Sequence, residues 1–388
     1  MVPAVSSKPG YTPFLIYSAA FSAFLAMYLP QPILPLLAEE FGVSASGAGL
    51  LISGLVLSIA LMSVVTAPLS DRIGRKPVLA GCSLLLALPS LACALAPSYS
   101  FLLLMRFAQG AIVPGVLAIS VAYLSEAFSA ERSPVLVGGY ISATVLGGMM
   151  SRLLSGAVTD LLNWRWAFGL SSLLSLLVGL LLFALLPSSS NFRADTHLGS
   201  AYRGMVQHLR NRQLLGGYLV GFLLFFAFLG LFTYLPFQLA GPPYAFSPLY
   251  IGLIYIVYGA GALSSPLGGR LAKRLPFWQV LSLGLGLTLS ANLLTLVPRT
   301  AVLVGALLLL CFGNFIVQST ATAFVARTAK HNRAGANALY LLFYYVGGSL
   351  GGYLPGLLWP LLGWEGVLLL TGSSLALALI VAVTLCRT

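Results

Sequence analysis

The sequence predicts an all-α polytopic membrane protein with twelve transmembrane helices in two pseudo-symmetric six-helix bundles. Three observations predict it. Of the 388 residues, 59% are apolar and only 7% charged, whereas charged residues supply about a quarter of a water-soluble chain. The apolar residues fall in runs of roughly 20, the length that crosses a ~30 Å hydrocarbon layer at ~1.5 Å per residue. The second half of the chain also repeats the first.

The runs place spans at 14–37, 47–69, 77–97, 100–126, 134–158 and 164–187, then at 214–239, 248–269, 276–297, 300–326, 334–359 and 363–385. They are numbered 1 to 12 below. The longest polar interval runs from Ser188 to Gln213 and divides them six and six. The expected organisation is an N-terminal bundle over 1–190, a linker loop over 191–213 and a C-terminal bundle over 214–388. The polar start through Pro13 leads directly into span 1, which is expected to act as its own insertion signal. The 41 Gly and 22 Pro suit membrane helices that pack closely or bend.

Net charge is +12, but the basic residues lie in short loops between apolar runs, so nucleic acid is not an expected partner. If the N-terminus is cytoplasmic, sixteen Lys and Arg fall in cytoplasmic segments and two, Arg165 and Arg299, in outer loops. That asymmetry places both termini in the cytoplasm of a multi-pass plasma or inner membrane protein. The cysteines Cys82, Cys93, Cys311 and Cys386 show neither metal nor disulfide spacing and read as small apolar fillers.

The repeat has a spacing of about 200 residues. Tyr28-Leu-Pro30 recurs as Tyr234-Leu-Pro236, and the hairpin Pro68–Lys76 recurs as Pro266–Arg274. Gly147–Trp164 aligns without gaps on Gly347–Trp364, keeping the paired glycines and the Trp. Two six-span halves of equal topology imply parallel repeats about an axis along the membrane normal.

On these residues the chain resembles the major facilitator superfamily, and within it the twelve-helix drug:proton antiporters. The loop after span 2 is similar to the superfamily signature G-x-L-x-D-R-x-G-R-[RK]: Leu69, Asp71, Arg72, Gly74, Arg75 and Lys76 match, and Ala67 replaces the first Gly. In span 4, Arg106, Gln109 and Gly110 match the antiporter motif. Span 5 departs from the pattern, since Gly147–Gly156 keeps the glycine spacing, lacks the usual Gly-Pro pair and adds Arg152. The resemblance implies a gate on the cytoplasmic side, with Asp71 facing span 11 and the basic residues Arg72, Arg75 and Lys76 meeting Glu126 at the end of span 4. Gly74 belongs to the same turn.

Arg106 and Arg152 are the only basic residues well inside spans. A charge at mid-bilayer costs about 2.5–3.5 kcal/mol on insertion scales, so such residues usually face protein or a water-filled cavity. Substrate contact is one reading for both. Snorkelling to the outer interface is the alternative, and Arg152 could also pin span 5 against the other half. The eight carboxylates, Glu39, Glu40, Asp71, Glu126, Glu131, Asp160, Asp195 and Glu365, lie in loops or near helix ends. Two guanidinium groups without a mid-span acid favour anionic or neutral cargo. Further cavity candidates are Gln31, Gln109, Gln238, Asn314 and Gln318, with Asn337 and Tyr340 beside them. Interhelical hydrogen bonding is the plain alternative for each. The aromatics Tyr28, Tyr234, Phe343, Tyr344 and Tyr345 read as packing or as an adaptable wall.

The spans hold no cluster of the kind an enzyme or a metal centre needs, and no phosphate-binding glycine loop is present. Neither cofactor nor metal is expected. The expected function is secondary transport by alternating access. The antiporter resemblance favours export of a small organic or amphipathic compound in exchange for protons. That is the first expectation; the alternative, motivated by Arg106 and Arg152, is uptake or exchange of an organic anion. Expected partners are the small-molecule substrate, protons in the exchanger reading and the lipid bilayer, with the protein a monomer.

Overall fold

A computed structural model describes residues 10–129, 131–187 and 207–387; within its helices the side chains of Val64, Ala67, Pro68, Asp71, Pro134, Ala262 and Ala334 are not described. The described residues are helical, with no strand among them. Span 1 comprises Thr12–Tyr28, a 3-10 turn at Gln31–Ile33 and a short helix Leu34–Phe41. Spans 2 to 6 are Ala45–Ile73, Arg75–Ala94, Tyr99–Ala127, Ser133–Leu161 and Trp164–Leu185. Span 7 is Arg212–Ala240. Span 8 comprises Pro248–Ile254, a 3-10 turn at Tyr255–Tyr258 and the helix Gly259–Leu271. Spans 9 to 12 are Phe277–Leu294, Thr300–Thr328, Arg333–Leu357 and Trp359–Leu385. Most of the linker expected over 191–213 lies outside the described residues.

Among the described residues, eleven of these twelve segments are long and apolar enough to cross a membrane. Span 11 is long enough at 25 residues. Its glycines and tyrosines lower its mean hydropathy, and its position between spans 7 and 2 explains that composition.

Packing repeats between the halves. Spans 1 and 5, 2 and 4, 3 and 6 pack together in the first half, as do 7 and 11, 8 and 10, 9 and 12 in the second. The halves meet where span 2 lies along span 11 and where span 8 lies along span 5.

The glycine repeat has a steric cause. A Cβ on Gly147 would collide with the carbonyl of Phe21 in span 1, and one on Gly347 would collide with the carbonyl of Phe222 in span 7. Each glycine lets two helix backbones touch, the small-residue contact that drives helix association in lipid. The same device joins the halves. A Cβ on Gly252 would lie 2.6 Å from the Arg152 carbonyl, and one on Gly156 would strike the Pro248 carbonyl. Gly49 faces Gly352 in the same way. Within the second half, Tyr234 Oη donates to the carbonyls of Gly352 at 2.8 Å and Tyr353 at 3.1 Å. Ser349 Oγ donates to the Ser53 carbonyl at 2.9 Å. These ties lie toward the end of the bundle opposite Arg75, Arg132 and Arg274. That end is called the far face here, and the other the basic face.

Valine at Gly147 or Gly347 is expected to cost roughly 1–3 kcal/mol, as overpacking does. Alanine at Gly81 or Gly305, which have nothing within 4 Å of an added Cβ, is expected to be neutral or slightly stabilising. Thermal unfolding of the detergent-purified variants checks the contrast.

Candidate functional site

The two intramembrane arginines sit in opposite chemical situations. Arg106 is wholly buried, with 0% exposure. Its Nε donates to the Leu51 carbonyl at 2.9 Å, its Nη1 to the Ala26 carbonyl at 2.8 Å and to Gln109 Oε1 at 2.5 Å, and its Nη2 to the Met27 carbonyl. Gln109 Nε2 passes the network to Ser90 Oγ on span 3 at 2.9 Å. Four of the guanidinium's five N–H groups are thus engaged by spans 1, 2 and 4.

Pro30 explains this arrangement. A proline has no N–H, so the carbonyl four residues earlier loses its helical donor. That carbonyl belongs to Ala26, and Arg106 supplies the missing donor. The second half repeats the problem with a different solution. Pro236 frees the carbonyl of Phe232, which accepts from Tyr255 Oη at 2.8 Å. In lipid an unmet carbonyl costs several kcal/mol, which gives both contacts a structural purpose.

Arg152 is also buried, with 2% exposure. Its Nε donates to Gln31 Oε1 at 2.7 Å and its Nη1 to its own helix at the Gly148 carbonyl at 2.5 Å. Three tyrosine rings surround it, with centroids 4.3 Å (Tyr28), 4.6 Å (Tyr258) and 4.9 Å (Tyr255) from Cζ. Among the described residues no carboxylate forms an ion pair with it. Cation–π contacts contribute about 0.5–2 kcal/mol each, so the rings make the charge tolerable without neutralising it.

Broken helices hold this site. Gln31 begins the 3-10 turn of span 1, and Tyr255 and Tyr258 bound the 3-10 turn of span 8. Such mid-helix turns reorient side chains and often mark hinges. Arg152 therefore joins spans 1 and 5 of one half to span 8 of the other. Tyr255 and Tyr258 are absent from the sequence reading. Their i, i+3 spacing on one helix face was the available signal. The rings of Phe228 and Phe232 on span 7 extend the aromatic surface, with centroids 5.4 and 4.7 Å from Tyr258.

Around the site several buried polar atoms lack a hydrogen-bond partner: Gln31 Nε2, Ser155 Oγ, Thr233 Oγ1, Tyr258 Oη and Asn314 Oδ1. Gln318 lies one turn beyond Asn314 and is half-buried, as is Gln238 on span 7. Tyr344 stacks on Phe225 at 4.0 Å rather than on Arg152, and Phe343 packs on Tyr218.

At the basic face, Arg75 meets Glu126. Its Nη2 donates to Oε1 at 2.7 Å, its Nε to the same carboxylate at 3.1 and 3.2 Å, and its Nη1 to Ser70 Oγ at 2.5 Å. Spans 3 and 4 belong to one half, so this pair ties that half together and does not itself bridge the two. Gly74 has φ +105°, a conformation that side chains disfavour, and it makes the sharp turn into span 3. Arg72 is exposed and Lys76 half-buried. The Asp71 side chain, and with it the expected contact to span 11, lies outside the described residues.

Replacing Arg106 with Leu is expected to lower stability, and Pro30→Ala is expected to reduce that penalty by restoring an N–H for the Ala26 carbonyl. The coupling should be about 0.5–3 kcal/mol in a double-mutant unfolding cycle. An equal penalty in both backgrounds would contradict the capping role.

The chain matches the family model described as Major Facilitator Superfamily over residues 16–329 and again over 239–387. It is 34% identical over 355 residues to the uncharacterized MFS-type transporter YybF of Bacillus subtilis (strain 168), covering 91% of this chain and 88% of that one. It is 34% identical over 368 residues to the inner membrane transport protein YnfM of Escherichia coli (strain K12), covering 95% and 87%. Among solved structures, a bacterial homologue of the human lysosomal transporter Spinster, inward-facing and unoccupied, superposes with a TM-score of 0.79 at 17% identity over 98% of this chain and 95% of that one. A variant of the nucleoside transporter NupG gives 0.78 at 15% identity over 97% and 100%.

Proposed function

The chain belongs to the major facilitator superfamily and is a secondary transporter, and on that premise we propose that its cargo is a small organic anion bound at Arg152. One observation carries this reading: a buried guanidinium with no ion-paired carboxylate among the described residues. A carrier that keeps a mid-bilayer cation without an internal counter-ion is complementary to a substrate that brings one. Arg106 does not compete for this role in this conformation, because backbone carbonyls and Gln109 take its donors.

In this reading the halves rock about the centre. The basic face is cytoplasmic, as are both termini, and the far-face contacts between the halves, Gly49 on Gly352 and Ser349 on Ser53, close the outer side. Arg152 donates to Gln31 in its own half and stacks on Tyr255 and Tyr258 in the other, so occupancy of the site is felt by both. The basic hairpin 71–76 and Glu126 act as the cytoplasmic gate. Coupling to protons would use an acid outside the span centres, such as Asp71 or Glu126.

A second reading is export of a neutral or amphipathic compound. The aromatic surface of Phe228, Phe232, Tyr255 and Tyr258 favours it, since flat apolar cargo stacks well there.

Counterflow in proteoliposomes separates the two. The anion reading expects carboxylates to be taken up and to compete, with neutral amides inert. It also expects Arg152→Gln to lose at least ~10-fold of the rate, the loss that removing a charge-assisted hydrogen bond produces. Equal flux of amides and carboxylates, unchanged in Arg152→Gln, would overturn it.

A further inference from the structure

The anion reading leaves the shape of the anion and the rest of its binding site undetermined, and the inference that follows rests on that reading. Arg152 spends Nε on Gln31 and Nη1 on Gly148. Its Nη2 makes no hydrogen bond to a described residue. The Gln31 amide is oriented by chemistry, because a guanidinium only donates and so must face the amide oxygen. The amide nitrogen therefore points away from Arg152. It is buried with 0% exposure for the residue and has no partner. Tyr258, whose ring lies 4.6 Å from the guanidinium carbon, also has an unpartnered hydroxyl.

A guanidinium N–H group, a primary amide and a phenol are thus left unsatisfied at one site. Together they offer donors and one positive charge, and their complement has two acceptor oxygens and one negative charge. The three rings around Cζ cover the guanidinium, so an incoming group meets it edge-on. A planar carboxylate satisfies that geometry better than a tetrahedral phosphate. Next to the donors lie Phe228, Phe232 and Tyr255, which suit a flat apolar body. A second carboxylate on the cargo would meet no second free cation among the described residues, because the other buried arginine is already engaged.

We infer that the site takes an aromatic or otherwise flat, apolar monocarboxylate, held edge-on by Arg152 with the Gln31 amide as its second anchor. Gln31 is then a specificity-determining residue. It orients Arg152 through its oxygen and reads the cargo through its nitrogen. It also withholds the negative charge that a glutamate at the same position would supply.

That last point gives the test. Gln31→Glu is nearly isosteric and places an internal carboxylate on Arg152 Nε, mimicking bound cargo. Thermal unfolding of the full-length chain in detergent is measured with benzoate, benzamide and terephthalate, for wild type, Gln31→Glu, Gln31→Leu and Arg152→Gln. The inference predicts that benzoate stabilises wild type and benzamide does not, with terephthalate at least ~10-fold weaker. Without ligand, Gln31→Glu should unfold at a higher temperature than wild type and ignore benzoate. Gln31→Leu should bind benzoate about 10-fold more weakly, as loss of one buried donor implies. If benzoate binding is lost in Arg152→Gln but unchanged in both Gln31 variants, the Gln31 assignment is wrong and the anion reading stands. If wild type responds to benzamide as to benzoate, or to no carboxylate at all, both are overturned. Equal binding of terephthalate and benzoate overturns the monocarboxylate assignment.

Discussion

In a medium without water, every buried donor, acceptor and charge must find its complement inside the protein, and this constraint shapes both halves of the chain. A guanidinium meets it in two ways here. Arg106 finds backbone carbonyls, one of which a proline has left free, so its donors stabilise the fold and are consumed. Arg152 finds a glutamine oxygen, one carbonyl and three aromatic rings, which hold it in place, and among the described residues no carboxylate pairs with its charge. The same residue type is therefore a structural cap in span 4 and the candidate recognition group in span 5.

The pseudo-symmetry makes the asymmetry informative. Both halves break or strain one helix with the sequence Tyr-Leu-Pro, and both free one carbonyl. The first half answers with a charge and the second with the phenol of Tyr255, which also stacks on Arg152. The paired tyrosines diverge as well. Tyr28 lies over Arg152, whereas Tyr234 ties span 7 to the carbonyls of span 11 at the far face. The candidate site is built from these differences, while the shared glycine-to-carbonyl contacts at Gly147 and Gly347 carry the architecture.

Much of the fold was legible in the sequence because its causes are one-dimensional. Apolar runs and loop charges define twelve spans without any knowledge of contacts, and the aligned Gly147–Trp164 and Gly347–Trp364 segments reveal the repeat. The site was only partly legible. Gln31, Arg106, Gln109 and Arg152 stand out as polar residues in apolar runs, but their pairing depends on distances the sequence does not contain. Gln31 and Arg152 are 121 residues apart, and Arg106 and Ala26 are 80 apart. Tyr255 and Tyr258 were hidden among ordinary membrane aromatics, and nothing local announces the 3-10 turn that presents them. Arg106 stood out for cargo as a basic residue well inside a span, and in this structure its donors go to backbone carbonyls and Gln109.

The central claim is that cargo supplies the negative charge that Arg152 lacks. Crystals or particles of the protein with 4-bromobenzoate would test it directly, since bromine marks the ligand and the carboxylate its orientation. The account predicts the carboxylate edge-on to Arg152 beside the Gln31 amide, with the bromophenyl ring among Phe228, Phe232 and Tyr258. Bromine density elsewhere in the bundle, with the Arg152 surroundings unchanged, would contradict it.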